Sequence, residues 1–174
     1  MKKLFKSLLF KKLLGKLGIF FNNIEIQGLK FNDVKYSSLK DFYFNQNLEI
    51  ETFKLIKNSE YETFIDLGAY FGYFSIYAKI KANIKNVFAY EASSYNFNQL
   101  KKFVKLNNAN IEIINKAVGE KTGIVKFYKP VYDKNEKFPS HGQLNNPTLD
   151  KTNLYFDKKF EEHEVEMISL LEVI

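Results

Sequence analysis

The chain contains no cysteine, no tryptophan and, among its 26 basic residues, no arginine. Without cysteine there can be no disulfide framework and no thiolate zinc site. Only two histidines are present, His141 and His163, which argues against a histidine-rich metal site; no metal is expected. Arginine supplies most of the bidentate contacts that read base edges and grip phosphates, so its absence speaks against sequence-specific nucleic-acid binding. The all-lysine habit, beside abundant Asn, Ile, Phe and Tyr, fits an A/T-rich genome better than a function. Proline is scarce, and all three residues, Pro130, Pro139 and Pro147, fall in one stretch.

What is present describes a folded domain. With 174 residues, one domain is the natural expectation. A chain of that size buries roughly 70% of its unfolded surface. Hydrophobic residues make up 45% and aromatics 17%, supplied by 18 Phe and 11 Tyr. That is too apolar for disorder. The formal charge of +6 is unevenly placed: residues 1–24 carry Lys2, Lys3, Lys6, Lys11, Lys12 and Lys16 and no acid, and the remainder is neutral.

The opening segment, MKKLFKSLLFKKLLGKLG, is interrupted by lysine too often to be a signal peptide or a span of about 20 apolar residues. As a helix over 1–18, Phe5, Leu9, Leu13 and Leu17 form an apolar stripe, with Lys3, Ser7, Lys11 and Gly15 opposite. Two readings are open: a helix that packs its stripe on the domain, and an interfacial helix whose flanking lysines snorkel at an anionic membrane surface. The second would place a cytoplasmic protein peripherally at the inner membrane face.

Residues 19–174 read as one α/β domain. IEIQGLKF, residues 24–31, alternates as a strand does, and 48–58 spaces Phe53, Leu55 and Ile56 as a short helix would. ETFIDLG (62–68) is a short apolar run ending at a turn, as in a buried parallel strand. Helical spacing over 70–82, a strand over 86–92, a helix over 94–108 ending at Asn107-Asn108 and a strand over 111–118 follow. Strand–helix–strand–helix–strand predicts a Rossmann-like, doubly wound, mostly parallel sheet. Residues 119–128 suggest a strand reached by a tight turn. Residues 129–163 read as a surface loop or lid, and 164–174 as a final strand running into a helix start. There is no internal repeat.

The chemistry concentrates in FIDLGAYFGYFS, residues 64–75. In open α/β sheets ligands bind outside the carboxyl ends of the strands. Asp66 and Glu91 both end strands there, and Glu91 follows Gly68 by 23 residues, near the roughly 20 of a ribose-binding acid. Gly68 permits a tight turn and Gly72 a close approach of the following helix. The turn G-A-Y-F-G lacks the middle glycine of the dinucleotide fingerprint, and Tyr70 and Phe71 stand where a pyrophosphate needs bare backbone. A nucleoside cofactor without phosphates, S-adenosylmethionine, suits it better. Taken one at a time, Asp66 could be an ordinary helix cap, Glu91 a solvated strand end and His141 a solvated loop residue. The acids Glu161, Glu162, Glu164 and Glu166 around His163 suggest a solvated strand face rather than a metal site.

FIDLGAYFGYFSIYA, VFAYEASSYNFNQLKKFVKLNN and IEIINKAVGEKTGIVKFY together resemble successive motifs of FkbM-type methyltransferases. The resemblance covers roughly 48–128, and more loosely 164–174. It implies a class I, S-adenosylmethionine-dependent enzyme that methylates a hydroxyl of a small-molecule or glycan acceptor. It also implies that Asp66, Gly68, Ala69, Tyr70 and Gly72 form the cofactor turn. Glu91, with Ala92 beside it, would bind the ribose, and Asn115, Lys116 and Ala117 would border the adenine. Tyr70 and Ala92 stand where the family usually has Asn and Pro, and no catalytic residue is assigned. The family continues past a segment like 164–174 into a strand with an Asp-x-Glu-Gly motif. An end at residue 174 therefore implies a C-terminally truncated form whose sheet another chain would complete. The alternatives are a non-catalytic remnant of the fold and a peripheral membrane module with an α/β scaffold.

Overall fold

A computed structural model describes residues 23–32, 48–131, 144 and 159–173. The expected helix over 1–18, His141 and most of the expected 129–163 loop lie outside the described residues.

The alternating stretch 24–31 is a hairpin rather than a single strand. β1 (Asn23–Ile26) pairs antiparallel with β2 (Leu29–Asn32). Its two-residue turn, Gln27-Gly28, has φ of 51° and 73°, the doubly left-handed turn that matches strand twist. The period of two puts Ile24, Ile26, Leu29 and Phe31 on one buried face. α1 (Ile50–Lys57) follows and buries Phe53 and Ile56.

Three parallel strands come next, β3 (Thr63–Leu67), β4 (Asn86–Tyr90) and β5 (Glu112–Ile114), in the order β3-β4-β5. α2 (Tyr73–Ile80) links the first two and α3 (Ser94–Leu106) the second two. This is the Rossmann-like α/β arrangement expected. In the register, Phe64 faces Val87, Asp66 faces Ala89 and Ala89 faces Ile113. Alternation therefore puts Phe64, Val87, Ala89 and Ile113 on one face, and there α2 and α3 supply Ile76, Ala78, Leu100 and Phe103 to the core. Phe53 sits among Tyr73, Phe74 and Tyr77, with ring centroids 4.7–5.0 Å apart, and so fastens α1 to α2.

α3 begins at Ser93, whose hydroxyl accepts the Asn96 N–H. It ends at Asn107, whose side chain does the work of a peptide group. Lys30 N–H donates to Asn107 Oδ1 at 2.8 Å, and Asn107 Nδ2 donates to the Lys30 carbonyl at 2.8 Å. The helix terminus is thus bound to the hairpin, while Phe31 packs edge-on against Phe103 at 5.1 Å.

The strand expected over 111–118 is interrupted. β5 stops at Ile114, and β6 (Ala117–Gly119) joins a different sheet. β7 (Gly123–Pro130) pairs antiparallel with β8 (Phe160–Ser169), which runs parallel to β6. The boundaries of the 129–163 loop are corrected at both ends, because Lys129 pairs with Glu161 and Pro130 with Phe160 in the ladder. α4 (Leu170–Val173) is the expected helix start. No helix of the described residues is long and apolar enough to cross a membrane.

Candidate functional site

Three strands of one parallel sheet end side by side, and each delivers a polar side chain to the same rim. Asp66 is the fourth residue of β3, Glu91 directly follows β4, and Asn115 directly follows β5.

The turn after β3 is pinned to the end of β4, because the N–H groups of Gly68 and Ala69 both donate to the Tyr90 carbonyl, at 2.9 and 2.8 Å. The chain then passes through three left-handed residues, Gly68, Tyr70 and Gly72, with φ of 82°, 54° and 77°. The two glycines serve different ends. A Cβ on Gly68 would meet nothing within 4 Å, so only its conformation is required there. A Cβ on Gly72 would lie 2.2 Å from Leu100 Cδ1, so that glycine lets α2 start against α3. Tyr70 has no such freedom; a left-handed conformation costs a non-glycine residue about 1 kcal/mol or more. It is held by its own N–H, which donates to Glu91 Oε2 at 2.8 Å, and its ring stacks on Phe71 at 3.9 Å.

Glu91 is only 6% exposed. Its Oε1 accepts the Ser93 N–H at 2.8 Å and Asn96 Nδ2 at 3.4 Å. Burial pushes its carboxyl above the ordinary carboxylate range; the Ser93, Tyr70 and Asn96 donors oppose this and the charge of Asp66 adds to it. Asp66 is raised as well, by burial, against the Ser75 hydroxyl that donates to its Oδ2.

Asn115 joins the second and third strand ends. Its Nδ2 donates to the carbonyls of Glu91 (2.7 Å) and Ala92 (3.2 Å), and Ser94 Oγ donates to its Oδ1 at 3.4 Å. Lys116 turns toward β8 and pairs with Glu166 at 3.0 Å, while the buried Ala117 starts β6 opposite Met167. Hydrogen bonds thus tie Tyr70 and Asn115 to Glu91, Gly68 and Ala69 to the Tyr90 carbonyl and Gly72 to Ala69 at one rim. Asp66 is held there by Ser75 and acts on Glu91 through its charge, with Ala92 and Lys116 adjoining. The acids of β8 are spread along a ladder, where Glu162 pairs with Lys126 at 2.8 Å and Glu161 with His163 at 3.4 Å. Among the described residues no His, Cys, Asp or Glu group could hold a metal.

Three further residues serve the two carboxylates and escaped sequence reasoning: Ser75, Ser93 and Asn96. Ser75 is fully buried in α2, whose other buried residues are Tyr73, Ile76, Tyr77 and Ala78, and a buried hydroxyl needs a partner. Ser93 caps α3, and a serine directly before a helical run is the signal that could have found it. Asn96 carried no signal in the sequence.

Beside Ser93 a cavity of about 190 Å³ opens between the start of α3 and the β7–β8 pair, with Tyr95, Lys129 and His163 in its wall.

No protein-family model matches the chain, and no curated protein matches it. The crystal structure of M. jannaschii TYW2 in complex with AdoMet resembles it at a TM-score of 0.40 and 18% identity, over 64% of each chain. The chain therefore spans less than two thirds of that protein's length, and a likeness so weak carries neither fold nor function across.

Proposed function

We propose that the chain holds S-adenosylmethionine across the carboxyl ends of β3, β4 and β5 and serves methyl transfer to a hydroxyl of a small-molecule or glycan acceptor. The observation that carries this reading is the pair Asp66 and Glu91, carboxylates on neighbouring parallel strands at the end where such sheets bind ligands. The donor set suits that cofactor. Glu91 Oε2, which accepts the Tyr70 N–H, keeps capacity for a ribose hydroxyl, while the Ser93 and Asn96 donors hold Oε1 in place. The open space above Gly68 suits the passage of a ligand over the turn. Asn115, bound to the Glu91 carbonyl, would border the adenine there, whereas Lys116 turns to Glu166 and Ala117 enters the second sheet. When bound, the cofactor supplies an electrophilic methyl group; the chain's part is to orient donor and acceptor. The resemblance of residues 48–128 to FkbM-type methyltransferases supports the finer assignment to that family and to O-methylation.

Calorimetric titration of S-adenosylhomocysteine into the folded chain tests the reading. Binding is expected, and Glu91→Ala is expected to weaken it at least tenfold, about 1.4 kcal/mol. A folded wild-type chain that ignores the ligand would overturn the cofactor assignment, and a variant that binds as well as the wild type would overturn the role of Glu91.

A further inference from the structure

Asn96 is 2% exposed in the first turn of α3, beside the buried Ser93. An amide of that size buried in a core position is costly unless its polar atoms are used. An apolar side chain there would add to the Leu100 and Phe103 packing at no such cost. What the amide does is visible in its partner: Nδ2 donates to Glu91 Oε1, the oxygen that also accepts the Ser93 N–H. Against the carboxylate form this orientation is the favourable one, since Oδ1 in that position would set two acceptors against each other. Ser93 in turn accepts the Asn96 backbone N–H at 3.4 Å, so cap, amide and carboxylate form one closed unit. The opposite oxygen, Oε2, is held from the other side of the site by Tyr70 N–H.

We infer that Asn96 is a positioning residue for Glu91. Its buried amide and the Ser93 N–H fix Oε1 from α3, and Tyr70 fixes Oε2 from the β3 turn, so that the carboxyl group meets a ligand already oriented. The inference deepens the cofactor reading and rests on it for the identity of the ligand, but not for the state of Glu91.

The charge balance around Glu91 supports it. Burial and the charge of Asp66, from β3, favour the protonated acid; the donors from Ser93, Tyr70 and Asn96 favour the carboxylate. Removing one donor therefore shifts Glu91 toward protonation, and replacing it by an acid shifts it further.

The test follows the Glu91 carboxyl carbon by NMR titration in the full chain, assigned by its loss in Glu91→Gln. In Asn96→Ala the midpoint is expected to rise by about half a pH unit or more, and in Asn96→Asp by more than that. Asn96→Ser, a smaller change that keeps a hydroxyl donor, serves if the alanine variant does not fold. S-adenosylhomocysteine titrations at two pH values chosen from the wild-type Glu91 midpoint give the second readout. With the lower pH set at the measured wild-type midpoint and the higher well above it, the affinity lost in Asn96→Ala is expected to be larger at the lower pH, whereas a residue that only fills space would lower affinity equally at both. A Glu91 midpoint that does not move in any variant overturns the inference. A wild-type chain that titrates as expected yet does not bind the ligand overturns the cofactor reading and leaves the role of Asn96 standing.

Discussion

Two acids at one rim are each displaced in the same direction by burial, and this has a consequence for stability against pH. Asp66 and Glu91 both have folded-state proton affinities above those of the unfolded chain. The folded protein therefore binds more protons than the unfolded one at pH values just above the ordinary carboxylate range, roughly 4. Linkage then makes stability fall as pH rises through that window toward the raised values. Asp66→Asn removes one of these buried charges while its amide oxygen still accepts the Ser75 hydroxyl. The fall in urea midpoint between pH 5 and pH 7 is expected to be shallower in the variant. An identical slope in both proteins would show that Asp66 is ionised in the fold at no cost. Glu91→Ala has a different fate: it leaves the Tyr70 and Ser93 N–H groups facing a void. A loss of about 1–3 kcal/mol in unfolding free energy is expected, measured by the same denaturation.

At the scale of elements, α2 and α3 meet at one glycine. Gly72 has φ 77°, and a Cβ there would overlap Leu100. Gly72→Ala is expected to cost about 1–3 kcal/mol, part from the left-handed backbone and part from the clash. The double variant with Leu100→Ala separates the two, since it recovers only the steric part relative to Leu100→Ala alone; strict additivity in denaturation would refute the contact. Elements of this layer were legible because each carries a local signature. β3 and β4 are apolar runs closed by an acid, and α3 shows Leu100 and Val104 at helical spacing and ends at paired asparagines. The break after β5 was not legible. Residues 111–118 contain no glycine or proline, and the interruption at Asn115 arises because its amide is drawn to the Glu91 and Ala92 carbonyls. Nor was the partner of β6 legible, since its register with Met167 to Ser169 joins segments about fifty residues apart. Local periodicity does not encode such a pairing. At the site, charged and glycine positions could be read directly, whereas Ser75 and Asn96 gain meaning only once helix faces are set against strand ends.

Across the whole molecule, the hairpin, α1, α2 and α3 share one core on a single face of the parallel sheet, and Phe53 joins α1 to it. Phe53→Ala is expected to cost about 3–5 kcal/mol and to free α1 from the body, read as faster amide exchange over residues 50–57. Loss of stability with unchanged exchange there would contradict that placement. The ion pairs of the β7–β8 ladder lie in solvent, Lys126 and Glu162 being 63% and 47% exposed. Such pairs contribute little, so raising the salt concentration is expected to leave the thermal midpoint nearly unchanged. Asn107 matters in another way. In the hairpin register Lys30 stands opposite Glu25, between two pairs that exchange backbone hydrogen bonds across the turn, so its N–H and carbonyl point away from β1. That is one rung on which a foreign strand could add. The Asn107 carboxamide already occupies it with a donor and an acceptor spaced like those of a peptide unit. One side chain at a helix terminus thus covers backbone groups of the hairpin edge that would otherwise be open to a foreign strand.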